Sequence, residues 1–156
     1  MVLVHDKLYQ SRGLARIEFG NYLQSLAGEL QSSYSTRSGK RIDVRVTADE
    51  ITLPIESALP SGMIVSELLT NVFKYAFPGD RNGSAHIRLE AGNGQVRITV
   101  SDDGVGLPPD FDPAHSSSFG WQLIHNLVGQ LGGKVEVASD GGTRVSISFP
   151  PNSAEH

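Results

Sequence analysis

Val96-Arg97-Ile98-Thr99-Val100-Ser101-Asp102-Asp103-Gly104-Val105-Gly106 is the stretch on which the fold reading turns. Apolar and polar residues alternate through Val100, the period of a strand with one dry and one wet face. Asp102 takes the next inward position just where the backbone turns through Gly104 and Gly106. A carboxylate in register with core residues is costly unless a donor meets it. The plainer reading is an aspartate capping a turn. Asp103, of opposite parity, reads as an exposed turn residue.

Working outward, four more segments share the period of two: Ile42, Val44 and Val46; Ile87 and Leu89; Val135 and Val137; Val145, Ile147 and Phe149. The residues between them are mostly polar or charged. Sheets with one wet face are largely antiparallel and are covered by helices on one side, whereas a doubly wound sheet is apolar on both faces. The helices are legible as well. Phe19, Leu23, Leu26, Leu30 and Tyr34 recur at spacings of three and four before Gly39-Lys40 interrupts them. A second helix is expected from about Ser57 to Ala76, with Pro60 near its first turn and Pro78-Gly79 after its end. On it Ile64, Val65, Leu68, Leu69, Val72, Tyr75 and Ala76 form one apolar arc. A third runs from about Trp121 to Leu131 and stops at Gly132-Gly133. The expected fold is α+β: a two-layer sandwich with a mostly antiparallel five-stranded sheet under about three helices. Residues 107–119, rich in Pro, Asp, Ser and Gly, are long enough to form a functional lid.

Composition narrows the function classes. The chain has 156 residues, the size of one domain, and no cysteine, which excludes disulfides, thiolate metal sites and a cysteine nucleophile. Its five histidines show no ligand spacing. Net charge is −4, with no run of Lys or Arg, so a nucleic-acid partner is not expected. No stretch approaches the roughly 20 apolar residues of a membrane span, and the start lacks a secretory signal. A cytoplasmic location and no membrane contact are expected.

Three further segments carry candidate chemistry. Glu67, Asn71 and Lys74 fall within roughly 60° on one side of the second helix, either as a solvated face or as a polar site. Thr143 follows Gly141-Gly142 and shares the inward parity of Val145, Ile147 and Phe149. It is either part of a plain hairpin turn or a hydroxyl beside Asp102. Ser118, Phe119 and Gly120 open the third helix, where free backbone N–H groups favour phosphate. A flat apolar ring bearing an amino group, such as adenine, would satisfy Asp102.

In this order and spacing the segments resemble the ATP-binding domain shared by sensor histidine kinases, gyrase-type topoisomerases, Hsp90 and MutL, the GHKL superfamily with its Bergerat-type fold. Within it the chain looks most like a bacterial two-component histidine kinase. Glu67, Asn71 and Lys74 match the N box position by position. The resemblance implies that Asn71 coordinates Mg²⁺, that Lys74 contacts a phosphate with Tyr75 beside it in the nucleotide-binding set, and that Glu67 polarises the reacting group. Asp102, Gly104 and Gly106 match the G1 box, whose aspartate reads the adenine amino group. Ser118, Phe119 and Gly120 match the G2 box incompletely, since Ser118 stands for a glycine and Trp121 for a leucine. Gly141-Gly142-Thr143 matches the last glycine-threonine box. No F box is placed, which points to the HisKA_2-type subgroup.

The function so implied is the ATP-binding catalytic domain of a sensor histidine kinase, presenting the γ-phosphate of Mg²⁺-ATP to a histidine outside this chain. His5 lacks the neighbours of the family's acceptor. The implied partners are the phosphoacceptor-histidine domain of a homodimeric parent kinase and, through it, a response regulator. The expected division is residues 1–38 as the end of the dimerisation region, 39–151 as the catalytic domain and 152–156 as a tail. The rival readings are a nucleotide-dependent partner switch, an anti-sigma-like serine kinase and an ATP-hydrolysing machine of the gyrase or Hsp90 sort.

Overall fold

The computed structural model describes residues 16–79, 81–108, 111 and 119–151. The elements run β1 (Arg16–Glu18), α1 (Phe19–Ser38), β2 (Ile42–Ala48), β3 (Thr52–Pro54), α2 (Ile55–Asn71), a π-helical turn (Val72–Ala76), β4 (Gly83–Gly92), β5 (Gln95–Asp102), α3 (Phe119–Gln130), β6 (Lys134–Ser139) and β7 (Thr143–Phe149). All five alternating segments are strands of one sheet, in the order β2-β4-β5-β7-β6. Only β2 and β4 are parallel; the other neighbours are antiparallel. The two-layer α+β sandwich expected from the alternation is the fold that forms.

The inward residues Ile87, Leu89, Ile98, Val100, Ile147 and Phe149 are buried beneath α1, α2 and α3. Each such side chain contributes about 1.5–3 kcal/mol by leaving water. From α1 the sheet takes Phe19, Leu23 and Leu26, all fully buried. Glu18 caps that helix by accepting from the Asn21 N–H (2.8 Å), and Gly39 ends it in the left-handed conformation (φ 73°). Residues on both sides of position 38 share one hydrophobic core, because α1 covers the sheet alongside α2. The tail at 152–156 lies outside the described residues.

Three details differ from the sequence reading. A second, two-stranded antiparallel sheet pairs Arg16 with Pro54, Ile17 with Leu53 and Glu18 with Thr52. It draws α1 and α2 together at their N-termini. Next, α2 starts at Ile55, two residues earlier than expected, so Pro60 sits in its second turn and removes one donor from the ladder there. Finally, the helix ends in a π turn. One extra residue in a turn rotates the residues after it by about 100°. Phe73 and Phe77 consequently face the core, and Tyr75, expected in the apolar arc, is 68% exposed.

Candidate functional site

The end of β5 and the Gly141-Gly142 turn before β7 meet at Asp102. Its Oδ1 accepts from the Gly104 N–H (2.8 Å) and from the Thr143 N–H (3.3 Å). No described residue donates to Oδ2. The aspartate thus caps the turn with one oxygen and leaves the other open. Burial raises its pKa above the usual 3.8, against the lowering effect of the two backbone N–H groups. Thr143 is half-buried in the inward register of Val145, as its parity required.

The turn after Asp102 is pressed against its neighbours. A Cβ on Gly104 would lie 2.3 Å from the Ala76 carbonyl oxygen, to which the Val105 N–H donates (3.0 Å). One on Gly142 would lie 1.9 Å from the Asp102 carbonyl oxygen, and Gly142 has φ 128°. Gly106, with φ 78°, leads the chain past Ser139, whose Oγ accepts from the Leu107 N–H (2.9 Å).

Asp103 is exposed as expected, but it is not idle. Its carboxylate accepts from the Ser84 N–H (2.9 Å) and Oγ (3.2 Å), and Arg81 donates to its carbonyl (3.1 Å). The turn is thereby tied to the start of β4. Nothing local in the sequence signals this clamp, since Ser84 and Asp103 are 19 residues apart.

At the other end of the site, α2 carries Glu67 and Asn71, both half-buried and one turn apart. Glu67 faces the first turn of α3: a Cβ on Gly120 would lie 3.0 Å from its Oε2. Lys74 is exposed and lines a groove of about 260 Å³ between α1 and α2, with Tyr34, Arg37, Thr70 and Phe73. Tyr75 projects into solvent beside it. The fold so brings Asp102, Gly104 and Thr143 together, and Glu67 with Gly120, while Lys74 stands on the flank toward α1. Ser118 and the Phe119 side chain lie outside the described residues, as does most of the 107–119 segment. Trp121, the departure from the expected leucine, is buried and packs on Phe111 of that segment, ring centroids 6.2 Å apart. Among the described residues no three His, Cys, Asp or Glu side chains cluster as a metal site.

Residues 56–153 match the Histidine kinase-, DNA gyrase B-, and HSP90-like ATPase family, and residues 1–34 match the HisKA_2 histidine kinase family. The chain belongs to the former family, and it is the catalytic domain of a sensor histidine kinase. It is 36% identical over 137 residues to blue-light-activated histidine kinase 2 of Erythrobacter litoralis, an alignment covering 86% of this chain and 38% of that protein. The solved histidine kinase domain of a blue-light activated kinase from the same organism superposes with a TM-score of 0.81 at 32% identity, covering 99% of this chain and 74% of that one. Sensor histidine kinase PdtaS of Mycobacterium tuberculosis is 36% identical over 92 residues, covering 56% of this chain and 18% of that protein. The chain thus spans well under half the length of these two curated relatives.

Proposed function

We propose that the domain binds Mg²⁺-ATP with adenine against Asp102 and the phosphates between α2 and the start of α3, and presents the γ-phosphate to a histidine outside the catalytic domain. The observation that carries this reading is Asp102: a half-buried carboxylate with one oxygen engaged by two N–H groups and the other open. An exocyclic amino group is the donor such an oxygen lacks. Thr143, beside it, offers its hydroxyl to the same base.

The donor set also fits the metal. Mg²⁺ keeps most of its ligands as water and phosphate oxygens and needs only one or two from protein, so a lone Asn71 amide oxygen suffices without a carboxylate cluster. When bound, the ion neutralises phosphate charge. Lys74, on its flexible stem, adds a second positive charge from the exposed flank of α2, with Tyr75 beside it. The backbone N–H groups at Gly120 and the adjoining Ser118 and Phe119 receive phosphate oxygens. Glu67, held against Gly120, orients the attacking group. Phosphoryl transfer asks little more of a protein than positioning and charge neutralisation. The turn at Gly104 and Gly106 closes the base end.

The same reading makes residues 1–38 the end of the dimerisation region and 39–151 the catalytic domain, and gives the parent a phosphoacceptor domain, a homodimeric state, a response-regulator partner and a cytoplasmic site of action. No described helix is long and apolar enough to cross a membrane. The test is calorimetric titration of ATP and ADP, with and without Mg²⁺, into wild type, Asp102→Asn and Asn71→Ala. Affinity should fall at least about tenfold in Asp102→Asn, while Asn71→Ala should lose chiefly the Mg²⁺ dependence. Equal binding by wild type and Asp102→Asn would sink the reading.

A further inference from the structure

The helices cover one face of the sheet; the other carries its own pattern. Strand register places Arg45, His86, Ser101 and Arg144 side by side across β2, β4, β5 and β7. Arg88 and Arg97 lie in the rungs beyond. All of these but Arg45, which stands beside His86 at the edge, border an open concavity of about 480 Å³ whose lining is polar apart from Val137 and Ala138. Neighbouring strands are about 4.8 Å apart, so the row from Arg45 to Arg144 spans roughly 14 Å.

Only one of these arginines has a carboxylate partner. Arg97 pairs with Glu136 at 3.3 Å, whereas the side chains of Arg45, Arg88 and Arg144 have no hydrogen bond or ion pair among the described residues. Glu90 is the one other carboxylate bordering the concavity. His86, at the centre, has its pKa lowered by burial and then by Arg88 and Arg45, so the field there is positive. A chain of net charge −4 has thus gathered uncompensated cations on one face. Mutual repulsion makes that arrangement unfavourable in the isolated domain.

We infer that this outer face of the sheet is a docking surface for an acidic segment of a partner protein. The spacing suits several carboxylates spread along a chain better than a single small anion. Ligand pockets for small molecules are mostly apolar and enclosed, and this trough is neither. A nucleic acid fits less well, because Glu90 and Glu136 would face phosphates and no Phe, Tyr or Trp ring lines the concavity for stacking. The register also gives the surface a route to the other layer. Ser101 and Arg144 are the immediate chain neighbours of Asp102 and Thr143, so a partner seated here rests on the back of the strands that hold those two residues.

The test is a titration of the ¹⁵N-labelled chain at low salt with a synthetic peptide alternating glutamate and serine, followed by amide chemical shifts. Saturable shifts should be confined to the five strands β2, β4, β5, β7 and β6. Arg88→Glu and Arg144→Glu should each weaken binding about tenfold, and Glu90→Gln should strengthen it, with unchanged unfolding transitions. Arg88→Gln and Arg144→Gln, which remove charge without reversing it, should weaken binding to a smaller degree and serve if a Glu variant fails to fold. The inference is overturned by the absence of saturable shifts, by shifts centred on the Arg37 and Lys74 groove, by indifference to charge removal, or by tighter binding of oligothymidylate at the same residues.

Discussion

The two ends of the proposed nucleotide site are built by different means. At the Asp102 end backbone lies on backbone: Gly142 against the Asp102 carbonyl and Gly104 against the Ala76 carbonyl. At the Glu67 end the contact with Gly120 is made by the tip of a flexible side chain. The lesson is that the base end is fixed by close approach and tolerates no added atom, while the phosphate end is adjustable. An adenine ring is rigid and presents the same edge in every turnover. The phosphates change charge and shape as one is transferred.

The largest effect should come from Gly142→Ala. The new methyl would stand 1.9 Å from the Asp102 carbonyl oxygen in a backbone at φ 128°, and neither atom can move without displacing the end of β5. A loss of roughly 3 kcal/mol in urea unfolding is expected, together with loss of nucleotide binding. Gly104→Ala should come next at about 2 kcal/mol. Its methyl would meet the Ala76 carbonyl, which sits at the end of a π turn and has more room to shift. If either variant unfolds like wild type, the base end is not held by backbone approach.

Asp102→Asn sharpens the comparison by separating binding from stability. The carbonyl of the amide can still accept from Gly104 and Thr143, so the turn should survive. Burial raises the folded-state pKa of Asp102 above its usual 3.8. The folded chain therefore holds that proton more tightly than the unfolded chain, and the associated stability, complete below 3.8, is lost as pH rises through the folded-state pKa. Without nucleotide, Asp102→Asn should be at least as stable as wild type at neutral pH, with the gap closing below 3.8 in acid titrations monitored by circular dichroism. A variant less stable than wild type at neutral pH would mean that the charged carboxylate serves the turn and not a ligand.

Legibility in the sequence obeys the same divide between repeated and single signals. The five strands were readable because each repeats its inward residue two or three times, as Val96, Ile98 and Val100 do. The β1–β3 ribbon has only three residues a side and one fully inward pair, Ile17 with Leu53, too short for any period to show. The π turn was invisible for another reason. The 3.6-residue period that correctly buried Ile64 and Leu68 was carried unchanged through Tyr75, and nothing in Val72-Phe73-Lys74-Tyr75-Ala76 marks the inserted residue. The meeting of Asp102 and Thr143 was legible because strand parity aims both inward, whereas the Asp103–Ser84 clamp depends on tertiary contact alone. The stripe Phe19, Leu23 and Leu26 showed that α1 needs a partner surface but not which one, because the sheet that supplies it comes later in the chain.

Gly120→Ala is the smallest expected effect and the most discriminating. Its methyl would approach Glu67 Oε2 at 3.0 Å, a contact that a small rotation of the glutamate relieves. Alanine also favours the helix over glycine by about 1 kcal/mol, so the steric cost and the propensity gain should nearly cancel, leaving stability within about 0.5 kcal/mol of wild type. Nucleotide affinity should hold, since Asp102 and Thr143 are untouched. Phosphotransfer to an added acceptor domain should fall several-fold, because Glu67 is displaced from its place beside the start of α3. Were Gly120→Ala as destabilising as Gly104→Ala, the phosphate end would be as rigid as the base end. Were transfer unchanged, the contact between Glu67 and Gly120 would be packing alone, and the glutamate's role would have to rest on its neighbour Asn71.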